Sequence, residues 1–160
     1  MQTDLSIQCA AQKSVIAALE VLGCKIEEFI SGTGVLFTYG GQYYIALPSE
    51  DLTYLCVIFP KFTGVSEFPS LAAANEAIHE LNARVKLARL WIDHGQLHAS
   101  SETILDPSMA LDRILSRLLS TLQTIVLEVR IRQRISVAQN EHPEPNNLPN
   151  STPRRVVALH

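Results

Sequence analysis

The chain reads LFTYGGQYYIAL over residues 36–47. Aromatic and β-branched residues flank the pair Gly40-Gly41, and glycine accepts the two positive φ angles of a type I′ turn without steric cost. The stretch therefore predicts two antiparallel strands, Gly34–Tyr39 and Gln42–Leu47, joined by a two-residue hairpin.

Two further strands are predicted around this hairpin. Lys25–Ser31 precedes it, and Thr53–Phe59 follows it. Thr53–Phe59 is the most apolar strand candidate, so we place it at the centre of the sheet. Pro60 is predicted to end that strand because proline lacks the N–H that a strand ladder needs, and residues 61–69 are predicted to form a loop.

A helix is predicted before the sheet, over Thr3–Leu22. Thr3 or Asp4 is suited to cap its start, and Gly23 is suited to follow its end. The apolar positions fall near one face of this helix and Gln12 falls elsewhere. These apolar positions are Leu5, Cys9, Ile16, Leu19 and Leu22.

A second helix and a second hairpin are predicted after the loop. Ser70 is suited to cap a helix over Leu71–Arg84, because its hydroxyl can accept from a free N–H of the first turn. Two strands follow, Lys86–Asp93 and Gln96–Leu105, and Gly95 marks the turn between them.

The last helix is predicted over Pro107–Ile135, with Asp106 as N-cap and proline at the first helical position. Its apolar stripe is wider than packing on one small sheet requires. Two interpretations follow: the stripe is a homodimer seam or partner groove, or it lies across the sheet and is covered by the first helix. The residues of the candidate interface are Leu111, Leu115, Leu118, Leu119, Leu122, Ile125, Val126 and Val129.

Residues 1–138 are predicted to form one α+β domain, followed by a flexible proline-rich tail over residues 139–160. Pro143, Pro145, Pro149 and Pro153 interrupt this polar stretch. Within it, residues 154–157 (Arg-Arg-Val-Val) form either a short recognition segment or part of a linker.

Composition narrows the function classes. The chain has 160 residues, 47% of them hydrophobic, and a formal net charge of -3, which gives no attraction to nucleic acid or to an anionic membrane. No apolar run approaches the roughly 18 residues of a membrane span. An odd, sparse set of cysteines favours a reducing cytoplasm and no disulfide framework.

No catalytic, cofactor or metal motif is present, so the sequence predicts a protein that is not an enzyme. His94 and His98 flank the predicted turn, but they lack the third and fourth ligands that zinc needs. Adjacent carboxylates such as Glu27-Glu28 point to opposite faces of a strand and are interpreted as surface charge. Cys56 lies in an apolar strand, where its thiol is expected to be inert.

The order helix–three strands–helix–two strands–long helix resembles the type III secretion chaperone fold, and within that fold it is most similar to the YbjN-like bacterial proteins. The likeness covers about residues 5–135. The residues that carry it are Leu36–Tyr39, Tyr44–Leu47, Tyr54–Val57, Ala74–Ile78, Leu81-Asn82, Lys86 and Leu105–Pro107.

The resemblance implies a compact, often dimeric, non-enzymatic module that binds other protein chains, and it implies no site residues. We therefore predict a cytoplasmic, homodimeric protein-binding module of chaperone, adaptor or regulatory type that uses its sheet or its long C-terminal helix. The alternative is a small-ligand sensor or regulator with a pocket between sheet and helices.

Overall fold

The computed structural model describes residues 9–30 and 32–141, and these build one antiparallel sheet with helices on one side. The described part contains a six-stranded sheet in the order β1-β2-β3-β4-β6-β5, in which every neighbouring pair is antiparallel. The strands are β1 Lys25–Phe29, β2 Val35–Tyr39, β3 Gln42–Pro48, β4 Tyr54–Gly64, β5 Ala88–Asp93 and β6 Gln96–Ile104.

The helices are α1 Ala10–Val21, α2 Leu71–Arg84 and α3 Leu111–Glu141, with a short 3₁₀ turn at Val65–Glu67. They share one core with alternate residues of the strands, so all three pack on the same face of the sheet. This confirms the predicted α+β class. Four strands precede α2, at the four places predicted for strands, although the order that carries the resemblance counts three there.

The Gly40-Gly41 hairpin is confirmed. Gly40 has a φ of 57° and Gly41 a φ of 76°, the positive values that a type I′ turn needs. The register pairs Phe37 with Tyr44, and their stacked rings lie 5.7 Å apart in the core. The turn therefore sets which residues of both strands face the helices.

Strand β4 lies in the interior of the sheet, between β3 and β6, as predicted, but its predicted end was wrong. It continues past Pro60 to Gly64, and its pairing with β6 is interrupted between Phe59 and Thr63. Pro60 lies in this interruption, a bulge, where its missing N–H leaves no hydrogen bond of the strand ladder unmade. The next residue, Lys61, has a positive φ of 48°. Much of the predicted loop is thus strand and 3₁₀ turn.

Helix α1 begins at Ala10, after an extended Cys9 whose sulfur accepts from the Gln12 N–H at 3.4 Å, so the predicted helix does not run through Cys9. Residues 1–8, including the predicted caps and Leu5, lie outside the described residues. The buried face also differs from the predicted one. It consists of Ala11, Gln12, Val15, Ala18 and Leu19.

Helix α2 has the predicted bounds, and the Ser70 hydroxyl caps it by accepting from the Ala73 N–H at 3.1 Å. The β5–β6 turn is also at the predicted place. His94 and Gly95 occupy its two central positions with φ values of 45° and 73°. The capping residue and the turn residues were therefore sufficient to predict the positions of α2 and of the β5–β6 turn.

Helix α3 starts four positions later than predicted, at Leu111. The Asp106 carboxylate accepts from the Ser108 N–H at 2.8 Å and holds a turn instead of capping the helix. The helix extends beyond the predicted end at Ile135 to Glu141. The flexible tail stays a prediction, and residues 142–160 lie outside the described part.

Candidate protein interface

The predicted interface residues of α3 lie in the core of this chain. Leu111 is half-buried and packs against that core. The other seven are at most 5% exposed: Leu115, Leu118, Leu119, Leu122, Ile125, Val126 and Val129. The sheet, α1 and α2 of the same chain surround this stripe, so its burial is accounted for without a second chain.

Helix α3 has further apolar residues that the sheet does not cover. Leu127 is 58% exposed, Ile131 42% and Ile135 51%, and they recur every four residues on the side away from the core. The helix therefore carries more apolar surface than its sheet buries, but at positions that the predicted stripe did not include. Their i, i+4 spacing was the available sequence signal.

A second uncovered apolar surface lies on the sheet face opposite the helices. Leu36 pairs with Ile45, and Ile45 pairs with Ile58, so the three side chains form a row across β2, β3 and β4. All three are only half-buried, whereas the inward-facing neighbours are fully buried. We call Leu36, Ile45 and Ile58 the open-face row.

Polar residues continue the open-face row to both edges of the sheet. Glu28 pairs with Leu36 on one side. On the other side Ser100 pairs with Ile58, and Arg89 at the outer strand pairs with Ser100. An apolar centre with a polar rim is the arrangement typical of a protein–protein contact surface.

Cys56 lies beside this row, on the same face as Glu102. Burial, and then the charge of Glu102, raise the pKa of the Cys56 thiol to about 11. The neighbouring Tyr54 hydroxyl donates to Glu102, and its pKa is raised by burial first and by this hydrogen bond second. The thiol is protonated at neutral pH, and the neighbouring charge of Glu102 disfavours the thiolate, which gives it little nucleophilic character.

The two histidines of the β5–β6 hairpin have different environments. His94 is exposed at the turn, with its Nε2 atom 3.6 Å from Asp93. His98 is 8% exposed, stacks on Trp91 at 5.3 Å between ring centroids, and its Nε2 atom has no hydrogen-bond partner within the described part. Across residues 9–30 and 32–141, no three His, Cys, Asp or Glu side chains are grouped so that they could hold a metal ion.

One cleft lies where the alternative, small-ligand hypothesis placed its pocket. It has a volume of about 350 Å³ and is lined by the hairpin turn at Gly40, by Tyr44 and Phe59 of the sheet, and by Arg130 of α3. The cleft opens at the surface, and Tyr44 itself is 1% exposed.

None of the helices in the described part combines the length and the apolar composition that a membrane span needs.

No family model and no curated protein sequence matches this chain. Solved structures share its architecture at low sequence identity. A crystal structure of an uncharacterised protein from Methanothermobacter thermautotrophicus is similar with a TM-score of 0.57 and 10% identity, over 79% of this chain and 99% of that one.

The crystal structure of the ExsC-ExsE complex also contains a similar chain. Its TM-score is 0.51 and its identity 13%, over 81% of this chain and 97% of that one. At such identities the likeness concerns the fold alone. The sheet and helix arrangement is therefore the predicted one, an antiparallel α+β fold of the type III secretion chaperone kind.

Proposed function

We propose that the chain is a non-enzymatic protein-binding module of chaperone, adaptor or regulatory type, and that it binds another polypeptide through the open-face row. The observation that carries this proposal is the one-sided helix layer. Among the described residues, helices cover only one face of the sheet, and the other face keeps Leu36, Ile45 and Ile58 half exposed in a continuous row. Contiguous exposed apolar surface is typical of interaction sites.

The shape of this surface favours a polypeptide over a small ligand. Small ligands bind in concave sites that enclose most of their surface. Two concavities in the described part, of about 440 and 430 Å³, are lined by helix residues and Glu67, not by the open-face row. A sheet face with Glu28 and Arg89 at its ends suits a partner with complementary charges.

The fold comparison gives independent support. The ExsC-ExsE complex, by its name, joins two proteins, and it contains a chain of this fold. Free thiols at Cys9, Cys24 and Cys56 support placement in a reducing compartment, the cytoplasm. Membership of the YbjN-like family and a homodimeric state are part of the proposal, and the experiment below distinguishes a second copy from a different protein.

The test places a charge in the centre of the row. Ile45→Lys should weaken partner binding at least tenfold, because an unpaired charge buried at an interface costs about 2 kcal/mol or more. Leu71→Lys is the matched control, since Leu71 is 57% exposed on α2, on the helical side. Tagged full chains are purified from the source cell, and the mass of each complex is measured by light scattering.

A doubled mass that Ile45→Lys abolishes and Leu71→Lys keeps identifies a second copy as the partner. A co-purifying second polypeptide that Ile45→Lys abolishes and Leu71→Lys keeps identifies a different protein as the partner. Circular dichroism with thermal unfolding verifies that both variants fold. A monomer without co-purifying protein, or equal losses in both variants, would overturn the proposal.

A further inference from the structure

A groove runs between α2 and α3, away from the open-face row. It has a volume of about 440 Å³ and is lined by these two helices. Ala73 and Ala77 supply its α2 side, and their short side chains leave room beside Ile131 and Ile135 of α3. Because Ile131 is 42% and Ile135 51% exposed, the groove leaves apolar surface in contact with water.

The rim of the groove is acidic. Glu76, Glu80 and Glu128 line it together with one cation, Arg132. The Arg132 guanidinium pairs with Glu80. Within the described part, Glu76 and Glu128 form no ion pair, so two negative charges lie uncompensated beside an apolar floor. An occupant that matches this groove is both apolar and cationic.

The chain itself contains a segment with that chemistry. Residues 154–159 read Arg-Arg-Val-Val-Ala-Leu, two cations followed by four apolar residues. They lie outside the described residues. We propose that this segment docks in the α2–α3 groove of its own chain, with Arg154 and Arg155 at Glu76 and Glu128 and the apolar residues on Ile131 and Ile135.

The chain between α3 and the segment is long enough for the segment to reach the groove. At 1.5 Å per helical residue, α3 carries the chain about 9 Å from Ile135 to Glu141. Residues 142–153 then reach about 37–40 Å at roughly 3.1–3.3 Å per residue. Four extended apolar residues span about 13 Å, which is close to the rise of about 12 Å along α3 from Glu128 to Ser136 at the groove.

Because the segment belongs to the same chain as the groove, weak binding is sufficient for it to dock. A linker of 12 residues gives an effective concentration in the millimolar range, so a segment with a millimolar dissociation constant in isolation is docked about half of the time. The docked segment would shield Ile131 and Ile135. This inference does not depend on the proposed function, because the open-face row lies on the other side of the sheet.

The test compares two full-length variants with equal changes in charge. Arg154→Gln/Arg155→Gln removes both cations, and Asn146→Asp/Asn147→Asp adds two negative charges elsewhere in the tail. Amide NMR spectra are recorded for both and for the unaltered chain. We expect the arginine variant to shift the amides of Ala73, Ala77 and Ile131, and the asparagine variant to leave them unchanged.

The groove is tested from its other side with a peptide of residues 153–160, added to the Arg154→Gln/Arg155→Gln chain. It should shift the same amides with a millimolar dissociation constant. Glu76→Gln/Glu128→Gln in that chain should raise this constant about two- to tenfold, as expected for two exposed ion pairs. Glu20→Gln/Glu50→Gln, at exposed carboxylates outside the groove, should leave it unchanged.

Dilution of the protein distinguishes a segment supplied by the same chain from one supplied by a second copy. Docking within one chain gives the same spectrum over a hundredfold dilution of the unaltered protein. Groove shifts that disappear on dilution would show that a second copy supplies the segment, and this would overturn the proposal. Equal spectra of the two tail variants would also overturn it.

Discussion

At the scale of single residues, Gln12 shows how a polar side chain comes to be fully buried. The helical pattern placed it off the apolar face of α1, yet it is 0% exposed. Its Nε2 atom donates to the Gly34 carbonyl oxygen at 3.1 Å, across a separation of 22 residues. A hydrogen bond to a distant carbonyl offsets the desolvation of the amide, and no local pattern contains that partner.

Cys56 gives a pH-dependence prediction at the same scale. Burial first, and Glu102 second, raise its pKa from the ordinary 9.0 to about 11. The folded chain therefore favours the neutral thiol, and the resulting stability is fully present below pH 9 and is lost as the pH rises towards 11. The loss attributable to Cys56 should be on the order of 2 kcal/mol.

The measurement is urea unfolding of the unaltered chain and of Cys56→Ala between pH 8 and 11. The free energy of unfolding of the unaltered chain should fall more steeply with pH than that of the variant. Burial also raises the pKa of Cys24 and Tyr44, so both chains lose some stability in alkali. Parallel pH profiles would contradict the assignment to Cys56.

At the scale of elements, Asn82 joins α2 to the edge strand β5. Its amide donates to the Leu90 carbonyl oxygen at 2.9 Å, and its side-chain oxygen accepts from the Leu90 N–H at 2.8 Å. Within the described part of the chain β5 pairs with β6 alone, so Leu90 has an open side. The side chain occupies the place of a neighbouring strand and removes two free backbone groups from the sheet edge.

We expect Asn82→Ala to lower the free energy of unfolding by about 1–3 kcal/mol, because both Leu90 groups lose their partner. Asn82→Asp keeps the acceptor for the N–H but loses the donor, so its effect should be intermediate. Asn75→Ala, at an exposed position of the same helix, is the control and should change stability by less than about 0.5 kcal/mol. Chemical denaturation measures all three, and equal effects at positions 75 and 82 would contradict the bridging role.

Element boundaries were predictable where local chemistry sets them. Ser70 and Gly40-Gly41 located α2 and the first hairpin because a cap and a turn depend on residues within a few positions. The predictions from Asp106-Pro107 and from Pro60 were wrong for different reasons. Asp106 accepts from the nearby Ser108 N–H and forms a turn before α3, whereas Pro60 lies in a β4 bulge whose existence depends on pairing with the distant β6.

At the scale of the whole molecule, α3 packs against both the sheet and the other two helices. It contacts β4, β5 and β6 as well as α1 and α2, and its predicted interface stripe is the centre of that contact. Periodicity showed that these leucines are buried but not what buries them. Among the described residues, apolar side chains stay in contact with solvent elsewhere, on the sheet face without helices and on the outer side of α3.

Leu122, which is 0% exposed, tests this arrangement. Leu122→Ala should lower the free energy of unfolding by about 2–5 kcal/mol through lost burial and a cavity. That loss should be the same at every protein concentration, because the covering residues belong to the same chain. Leu127→Ala, at a 58% exposed position of α3, should cost less than about 0.5 kcal/mol.

Thermal and chemical unfolding over a hundredfold range of protein concentration measures both variants. A loss at Leu122 that grows on dilution would instead place the stripe at a subunit contact, since only association depends on concentration.

The antiparallel α+β class, the glycine hairpin, the Ser70-capped helix and the burial of the α3 stripe were predictable from the sequence, since each depends on neighbouring residues or on helical periodicity. The identity of the sheet face without helices became visible in the folded chain alone. Residues on both faces of β2, β3 and β4 are apolar, as in the neighbouring pairs Leu36 and Phe37 or Val57 and Ile58. Alternation therefore gave no sign of the uncovered side, which was fixed by where α1, α2 and α3 pack, through contacts between residues far apart in the chain.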